Sequence, residues 1–297
     1  MQKYFFLHPK YLLTWFGILF LWFLSKLPII IQNFFGWFFG LFLFLFWRSR
    51  VKIVRKNLEL CFVNQPYNQK QITKKHFLSL GMSIVELANC LFLSNIKLKK
   101  RYSLVGLEFI KKAQKEKRAI LLLLGHFTTM LLAGRMLNQE VPITDVYFQQ
   151  KNKVFDFVIQ IMFKKHGATM VNNQDMRGMI KALKTERPLW YAPDQDYGIK
   201  PSVFVDFFGV STATTTATAR LTKLTNAVVI PFSYYRVGRK YKLELHSPLE
   251  NYPQEDEIKN ATLTNKILEK QITLAPEQYL WTHKRFKTRP NNEPNPY

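Results

Sequence analysis

The chain has few acidic residues for its length. Its 297 residues include 43 Lys and Arg but only 20 Asp and Glu, which gives a formal net charge of +23 at pH 7. A charge this large calls for an anionic partner, and three classes are available: nucleic acid, an anionic membrane surface, and acidic soluble substrates or carriers. Composition alone does not choose among them.

Cysteine is also scarce. Cys61 and Cys90 both lie among apolar neighbours, and they do not have a metal-binding spacing. The pattern predicts buried free thiols in a reducing compartment, and we expect no metal and no cofactor. The chain also lacks a zinc-finger spacing and an RNA-recognition aromatic motif, and its basic residues are spread along the sequence, so nucleic acid is the least favoured partner.

The N-terminal fifty residues are unusually apolar. Residues 11–24 and 27–47 are almost wholly apolar, and a basic cluster follows at residues 48–56. No small-residue cleavage site precedes that cluster, which argues against the alternative of a secretory signal peptide. We therefore predict a membrane anchor over residues 1–50, built as one helix that would break near residues 26–28. A span needs ~20 apolar residues, which only the second run supplies, so spanning the membrane and lying at its surface both stay open.

The rest of the chain, residues 51–297, alternates helical and strand patterns. Residues 51–99 are predicted to form two helices before the first core strand, and residues 155–163 a further helix. A strand end is predicted at residues 105–108, and strands are predicted at residues 119–124, 141–148, 189–191 and 228–232. This alternation predicts an α/β domain large enough to fill its own core, since 47% of the residues are hydrophobic.

The central predicted strand ends at a histidine. The aliphatic run at residues 119–124 is too short for a membrane span and leads through Gly125 to His126, after which the composition becomes helical. His126 should therefore lie at a strand-to-helix turn, where α/β folds place their chemistry. Taken alone, such a histidine is as often a hydrogen-bonded structural residue as a catalytic one.

The sequence GHFTTMLLAGR at residues 125–135 resembles the first motif of the late acyltransferases of bacterial lipid A biosynthesis. This lauroyl/myristoyl transferase family is related to the glycerolipid acyltransferases. The resemblance continues through RKNLELCF at 55–62, YAPDQDYG at 191–198, FFGV at 207–210 and APEQYLWTHKRFKTRP at 275–290. It implies a glycerolipid-acyltransferase-like fold, in which helices flank a central mixed sheet and an N-terminal hydrophobic helix anchors the domain to the membrane.

Two positions depart from the family pattern. In the family, an Asp or Glu follows the histidine after four residues, and an Arg thought to bind substrate phosphate follows a strand Tyr; here these positions are Leu131 and Phe148. Two hypotheses result. The first is an acyltransferase with His126 as general base and a non-standard or absent acidic partner. The second is a degenerate member that keeps the fold, the membrane contact and lipid binding without acyl transfer.

A working enzyme would need another carboxylate to orient His126. Asp194, Asp196 and Glu86 are the candidates, and nothing in the sequence places any of them within reach of the ring. Because a pocket released from function would lose His126 as readily as its partner, the retained histidine favours the active enzyme.

The resemblance also implies the partners and further site residues. It implies an acyl-acyl carrier protein donor, a Kdo-lipid A precursor as acceptor, and the inner membrane with the catalytic domain on its cytoplasmic face. Asp194, Asp196 and Tyr197 are then predicted to bind the acceptor, although paired loop carboxylates are commonly solvated turn formers. Arg135 and the basic residues at 284–289 are predicted to contact the acidic substrates, with a solvated surface as the alternative for the tail.

Overall fold

The apolar N-terminal region forms two helices. The computed structural model describes residues 8–63 and 67–297, so the first seven residues of the predicted anchor lie outside the described part. Helix α1 (Leu12–Lys26) and helix α2 (Ile29–Phe46) are separated by Leu27 and Pro28, both in extended conformation. Proline disfavours helical geometry in the residue before it and lacks an N–H, so the single predicted helix is broken at the expected place.

Helix α2 packs closely on helix α4 (Gln69–Phe92). A Cβ placed on Gly81 of α4 would lie 2.2 Å from the carbonyl oxygen of Gly36, so the two backbones are in contact. Asn89 also donates a 2.9 Å hydrogen bond to Gln32. Among the described residues, α2 is the one helix long and apolar enough to cross a membrane, with a mean hydropathy of 2.0 and 17% of its residues buried.

The remaining elements alternate between helix and strand. In chain order they are α3 (Arg48–Cys61), α4, α5 (Asn95–Lys99), β1 (Tyr102–Val105), α6 (Leu107–Lys115), β2 (Ile120–Leu123), α7 (Met130–Asn138), β3 (Thr144–Tyr147), α8 (Lys153–Lys165), β4 (Thr169–Asn172), α9 (Met176–Leu183), β5 (Leu189–Tyr191), β6 (Ser202–Phe207), β7 (Val210–Thr215), α10 (Ala217–Thr225), β8 (Val228–Val237), β9 (Lys240–Leu245) and α11 (Glu257–Leu274).

The strands form a seven-stranded mixed sheet in the order β1-β9-β8-β2-β5-β3-β4. Neighbouring strands are parallel except for the antiparallel pair β8 and β9, and β6 pairs with β7 in a separate antiparallel hairpin. The predicted central mixed sheet flanked by helices is therefore confirmed. The four fully bounded predicted strands are present as β2, β3, β5 and β8, and the strand end predicted at residues 105–108 overlaps the end of β1.

The sheet has a helical layer on each face. Leu121 and Leu123 of β2 pack with α9 and α10, whereas Ile120 and Leu122 belong to the larger core that contains α4, α7 and α8. Because β2 is covered on both faces, all four of its residues are buried, as expected of a central parallel strand. Helices α1 and α2 lie outside α4, on the side of that larger core.

Most of the remaining elements, but not all, follow the predictions from the sequence. The two helices predicted over residues 51–99 correspond to α3 and α4, and the short helix α5 was not foreseen. Strands β4, β6, β7 and β9 were also not predicted. Cys61 and Cys90 are buried and free, as expected.

Candidate functional site

His126 lies in the turn that joins β2 to α7, as predicted. The C-terminal segment holds this turn: the His126 carbonyl accepts a 2.8 Å hydrogen bond from the backbone N–H of Leu280, and the N–H of Thr128 donates to the Gln278 carbonyl at 2.8 Å. From the sheet side, the Tyr234 hydroxyl donates to the carbonyl of Gly125 at 2.6 Å. The histidine therefore stands on a backbone fixed from two directions.

Asp194 is the carboxylate that binds His126. Strand β5 runs parallel to β2, with Tyr191 in register with Leu123, so the residues that follow the two strands emerge at the same edge of the sheet. Asp194 Oδ1 lies 2.6 Å from Nδ1 of His126, and its Oδ2 accepts the backbone N–H of His126 at 2.8 Å. Both oxygens of a carboxylate that is 1% exposed are thus directed at one residue.

The environment favours an ionised carboxylate beside a basic imidazole. Burial by itself raises the pKa of Asp194, but the charge of His126, its two hydrogen bonds and a further one from Tyr279 lower that pKa below its usual value. Burial lowers the pKa of His126, but the Asp194 carboxylate raises it by more, and the net shift is upward. In the neutral ring Nδ1 therefore carries the proton that Asp194 accepts, which leaves Nε2 with a free lone pair.

The other two candidate carboxylates have different partners. Glu86 forms a buried ion pair with Arg236, with 2.7 Å between Oε1 and Nε. Asp196 accepts hydrogen bonds from the backbone N–H and the hydroxyl of Thr288, at 2.7 and 2.8 Å. Asp196 therefore attaches the loop after β5 to the C-terminal tail, and the paired loop carboxylates are not simply solvated turn formers.

His126 opens onto a cleft at the carboxyl ends of β2, β5 and β3. The cleft has a volume of about 460 Å³, and the histidine side chain is 23% exposed, so its ring is accessible from the cleft. Tyr197 and Phe148 both lie in the wall of the cleft. Most of the other lining side chains are apolar, including Met130, Val146, Met176 and Trp190.

Arg135 lies elsewhere, which corrects the prediction that it contacts substrate. It is 4% exposed, and its guanidinium donates to the backbone carbonyls of Asn89 and Cys90, at 2.7 and 2.6 Å, and to that of Leu93. These carbonyls lie at the C-terminal end of α4, where the helix dipole favours a cation. Arg135 therefore joins α7 to α4.

The basic tail is only partly a solvated surface. Arg285 is 2% exposed and donates to the carbonyl of Ala213 at 2.6 Å and the hydroxyl of Thr214 at 3.1 Å. Arg289 donates to the carbonyl of Ser211 at 2.7 Å. These two arginines attach the tail to β7. The sequence had suggested only substrate contact or a solvated surface for this segment.

The sequence also did not reveal the role of Tyr279, a buried side chain that holds the turn at His126. Tyr279 donates to Asp194 and packs edge to face on Phe127, which follows the histidine, with 5.7 Å between the ring centroids. The only sequence signal was its place in the matched segment at residues 275–290. Over residues 8–63 and 67–297, no group of three or more His, Cys, Asp or Glu side chains is placed to hold a metal ion.

Comparison with known proteins identifies relatives along nearly the whole chain. The family model for bacterial lipid A biosynthesis acyltransferases matches residues 2–288. The lipid A biosynthesis lauroyltransferase of Escherichia coli (strain K12) is 38% identical over 295 residues, which cover 98% of this chain and 96% of that protein. The palmitoleoyltransferase of the same strain is 37% identical over 296 residues, with the same coverage. Among solved structures, the 1-acyl-sn-glycerophosphate acyltransferase of Thermotoga maritima is similar with a TM-score of 0.39 and 12% identity, over 83% of this chain and 96% of that one.

Proposed function

The chain belongs to the bacterial lipid A biosynthesis acyltransferase family and is an acyltransferase, and we propose that it adds a secondary acyl chain to a Kdo-lipid A precursor. The donor is an acyl chain held as a thioester on acyl carrier protein. The similarity of this protein to a lauroyltransferase and a palmitoleoyltransferase supports a fatty acyl chain as the group transferred.

His126 acts as the general base. Its Nε2 takes the proton of the acceptor hydroxyl as that oxygen attacks the thioester carbonyl carbon. When the C–O ester bond has formed and the C–S bond breaks, the imidazolium returns the proton to the leaving thiolate. Asp194 accepts the Nδ1 proton throughout, which holds the ring in the required tautomer and stabilises the imidazolium.

One observation carries this proposal: both oxygens of Asp194 bind His126, at 2.6 Å to the ring and 2.8 Å to the backbone. The degenerate alternative depended on Leu131, which cannot accept a hydrogen bond, and on Phe148, which cannot bind a phosphate. Asp194 supplies the acceptor that Leu131 lacks from the loop after β5, so the residue at position 131 no longer argues against activity.

The cleft supports an acyl substrate. Small-molecule sites are commonly apolar clefts of roughly 300–1,000 Å³ with a few polar groups, and this one has about 460 Å³ with His126 at its edge. Phe148 contributes an apolar surface at the position where the family has a cation, which suits a hydrocarbon chain better than a phosphate.

We place α1 and α2 at the surface of the membrane, with the domain on the cytoplasmic face of the inner membrane. Helix α2 runs antiparallel along α4 from Gln32, which binds Asn89, to Gly40, where an added Cβ would meet the backbone of Leu78. The core of the domain also includes α4, so α2 is held against the domain over most of its length. Its other face exposes large apolar side chains, among them Phe34, Trp37, Phe38 and Phe42, and an exposed apolar surface of this kind favours contact with the membrane.

The proposal is tested by transfer of a labelled acyl group from acyl carrier protein to Kdo-lipid A precursor in membranes that carry each variant. We expect transfer by the wild type, a loss of ~10³-fold or more in His126→Ala, and no gain in Leu131→Glu because Nδ1 already has its acceptor. Membranes without the protein give the background. No transfer by the wild type together with a gain in Leu131→Glu would instead support the degenerate member.

A further inference from the structure

Helix α9 presents a cationic stripe to solvent. Arg177, Lys181 and Lys184 are all exposed, and their spacing of four and three residues places them on one side of the helix. They form no ion pair with any acidic residue among the described ranges. The acidic residues nearest in sequence lie outside the helix, at Asp175, which caps it, and at Glu186. We call these three cations the α9 stripe.

The α9 stripe lies beside the cleft that contains His126. The other side of the same helix is apolar, and Met176 and Met179 from it line that cleft. Helix α10 contacts α9; its Ala217 lines the cleft, and Arg220, one turn further on, is exposed. Two adjacent helices that line the cleft therefore also carry exposed cations.

The stripe belongs to the face of the sheet opposite the apolar N-terminal helices. Helices α9 and α10 cover the side of β2 marked by Leu121 and Leu123, whereas α1 and α2 lie outside α4 on the other side. If α1 and α2 contact the bilayer, the sheet separates the stripe from the lipid surface. The complementary anion is then a partner that arrives from the aqueous phase.

We propose that the α9 stripe, with Arg220, docks the acidic carrier protein that presents the acyl thioester. This inference rests on the proposed function, which supplies that donor. Unpaired cations around an apolar cleft steer an acidic partner and fix its orientation. A carrier docked there delivers its acyl chain into the cleft from the side of Met176, while the lipid acceptor reaches His126 from the membrane side.

The test compares two donors that carry the same acyl chain. One is the acylated carrier protein, and the other is the acyl thioester of pantetheine, which lacks the acidic protein. In Arg177→Glu/Lys181→Glu/Lys184→Glu we expect the KM for the carrier to rise about tenfold or more and the difference to shrink as salt is added. The rate with acyl pantetheine should stay unchanged, which also shows that the variant is folded.

The matched control carries the same change in charge on another helix. Lys111→Glu/Lys112→Glu/Lys115→Glu alters three exposed cations of α6, and we expect carrier kinetics like those of the wild type. Replacement of the α9 stripe by three glutamines should give a smaller rise in KM in the same direction.

Three results would overturn the inference. The first is a KM for the carrier that is unchanged in the α9 variants. The second is a rise in the carrier KM of the α6 control as large as that of the α9 variants. The third is a rate with acyl pantetheine that falls together with the carrier rate in both the Glu and the Gln variants. An unchanged KM with active carrier transfer would leave the proposed function in place. Transfer by the wild type from acyl pantetheine but not from the carrier would remove the proposed donor and the docking surface together.

Discussion

Asp194→Asn is the substitution that most directly tests the pairing at the site. The side chain keeps its shape, but an oxygen that accepts either the ring N–H or the backbone N–H of His126 is replaced by an NH₂ donor. If the amide keeps its oxygen toward the backbone, its NH₂ group faces Nδ1 and favours the tautomer that is protonated on Nε2. That tautomer cannot take the proton of the acceptor hydroxyl.

The expected loss is large because the site offers little relief. In the Ser-His-Asp triad of serine proteases, the equivalent Asp→Asn change lowers turnover by ~10⁴-fold. Asp194 is 1% exposed, so solvent does not replace the lost acceptor. We therefore expect kcat to fall ~10³- to 10⁴-fold, about 4–5.5 kcal/mol of transition-state stabilisation, with a much smaller change in the KM for the acyl donor.

The assay is the initial rate of acyl transfer, with thermal unfolding measured on the same preparations. Asp196→Asn is the matched control, because Asp196 lies on the same loop but binds Thr288. We expect it to lower the midpoint of thermal unfolding by a few degrees and kcat by less than tenfold. An Asp194→Asn enzyme within tenfold of the wild type, or equal losses in the two variants, would refute the role assigned to Asp194.

Two further predictions concern the pH profile and the packing of α2. Asp194 raises the pKa of His126, and the base must be neutral to act, so the wild-type rate should rise with pH through that raised pKa. In Asp194→Ala only burial acts on the pKa of His126, and burial lowers it. The residual rate of this variant, followed over roughly pH 5–9, should therefore begin to rise at a lower pH than the wild-type rate. An unmoved profile would count against His126 as the titrating base. Gly81→Ala should destabilise the protein by about 1–3 kcal/mol, since its Cβ would lie 2.2 Å from the Gly36 carbonyl oxygen. Gly17→Ala, where nothing lies within 4 Å, should be neutral or stabilising, and equal melting temperatures in detergent for the two variants would contradict the close packing.

Most of the central sheet could be predicted because its strands are buried on both faces. Strand β2 appears in the sequence as an unbroken aliphatic run for that reason. Strand β4 (Thr169–Asn172) carries no such signal, because it lies at the edge of the sheet and none of its residues is fully buried. Strand β7 (Val210–Thr215) is rich in Thr and, within residues 8–63 and 67–297, pairs with β6 alone. Edge and hairpin strands depend on neighbours that local sequence does not specify.

The error at Arg135 has a similar cause. A cation on the helix that follows His126 is a reasonable candidate to bind anionic substrate. Arg135 instead binds carbonyls at the C-terminal end of α4, more than forty residues earlier in the chain. Whether an arginine faces solvent or a buried helix terminus is settled by tertiary packing, which spacing along α7 does not reveal.

The pairing of His126 with Asp194 shows what a motif with a missing residue can and cannot establish. The chemistry requires a hydrogen-bond acceptor at Nδ1 of the histidine, and a carboxylate one helical turn later is only one way to provide it. Asp194 is 68 residues away in sequence, yet it follows β5 as His126 follows β2, and the two strands are adjacent and parallel. The ends of adjacent parallel strands converge at one edge of a sheet, so a residue lost from a helix can be replaced from the next strand. Under the proposed mechanism, Leu131 therefore marks a change in how the base is supported, and Asp194 is the residue on which that support depends.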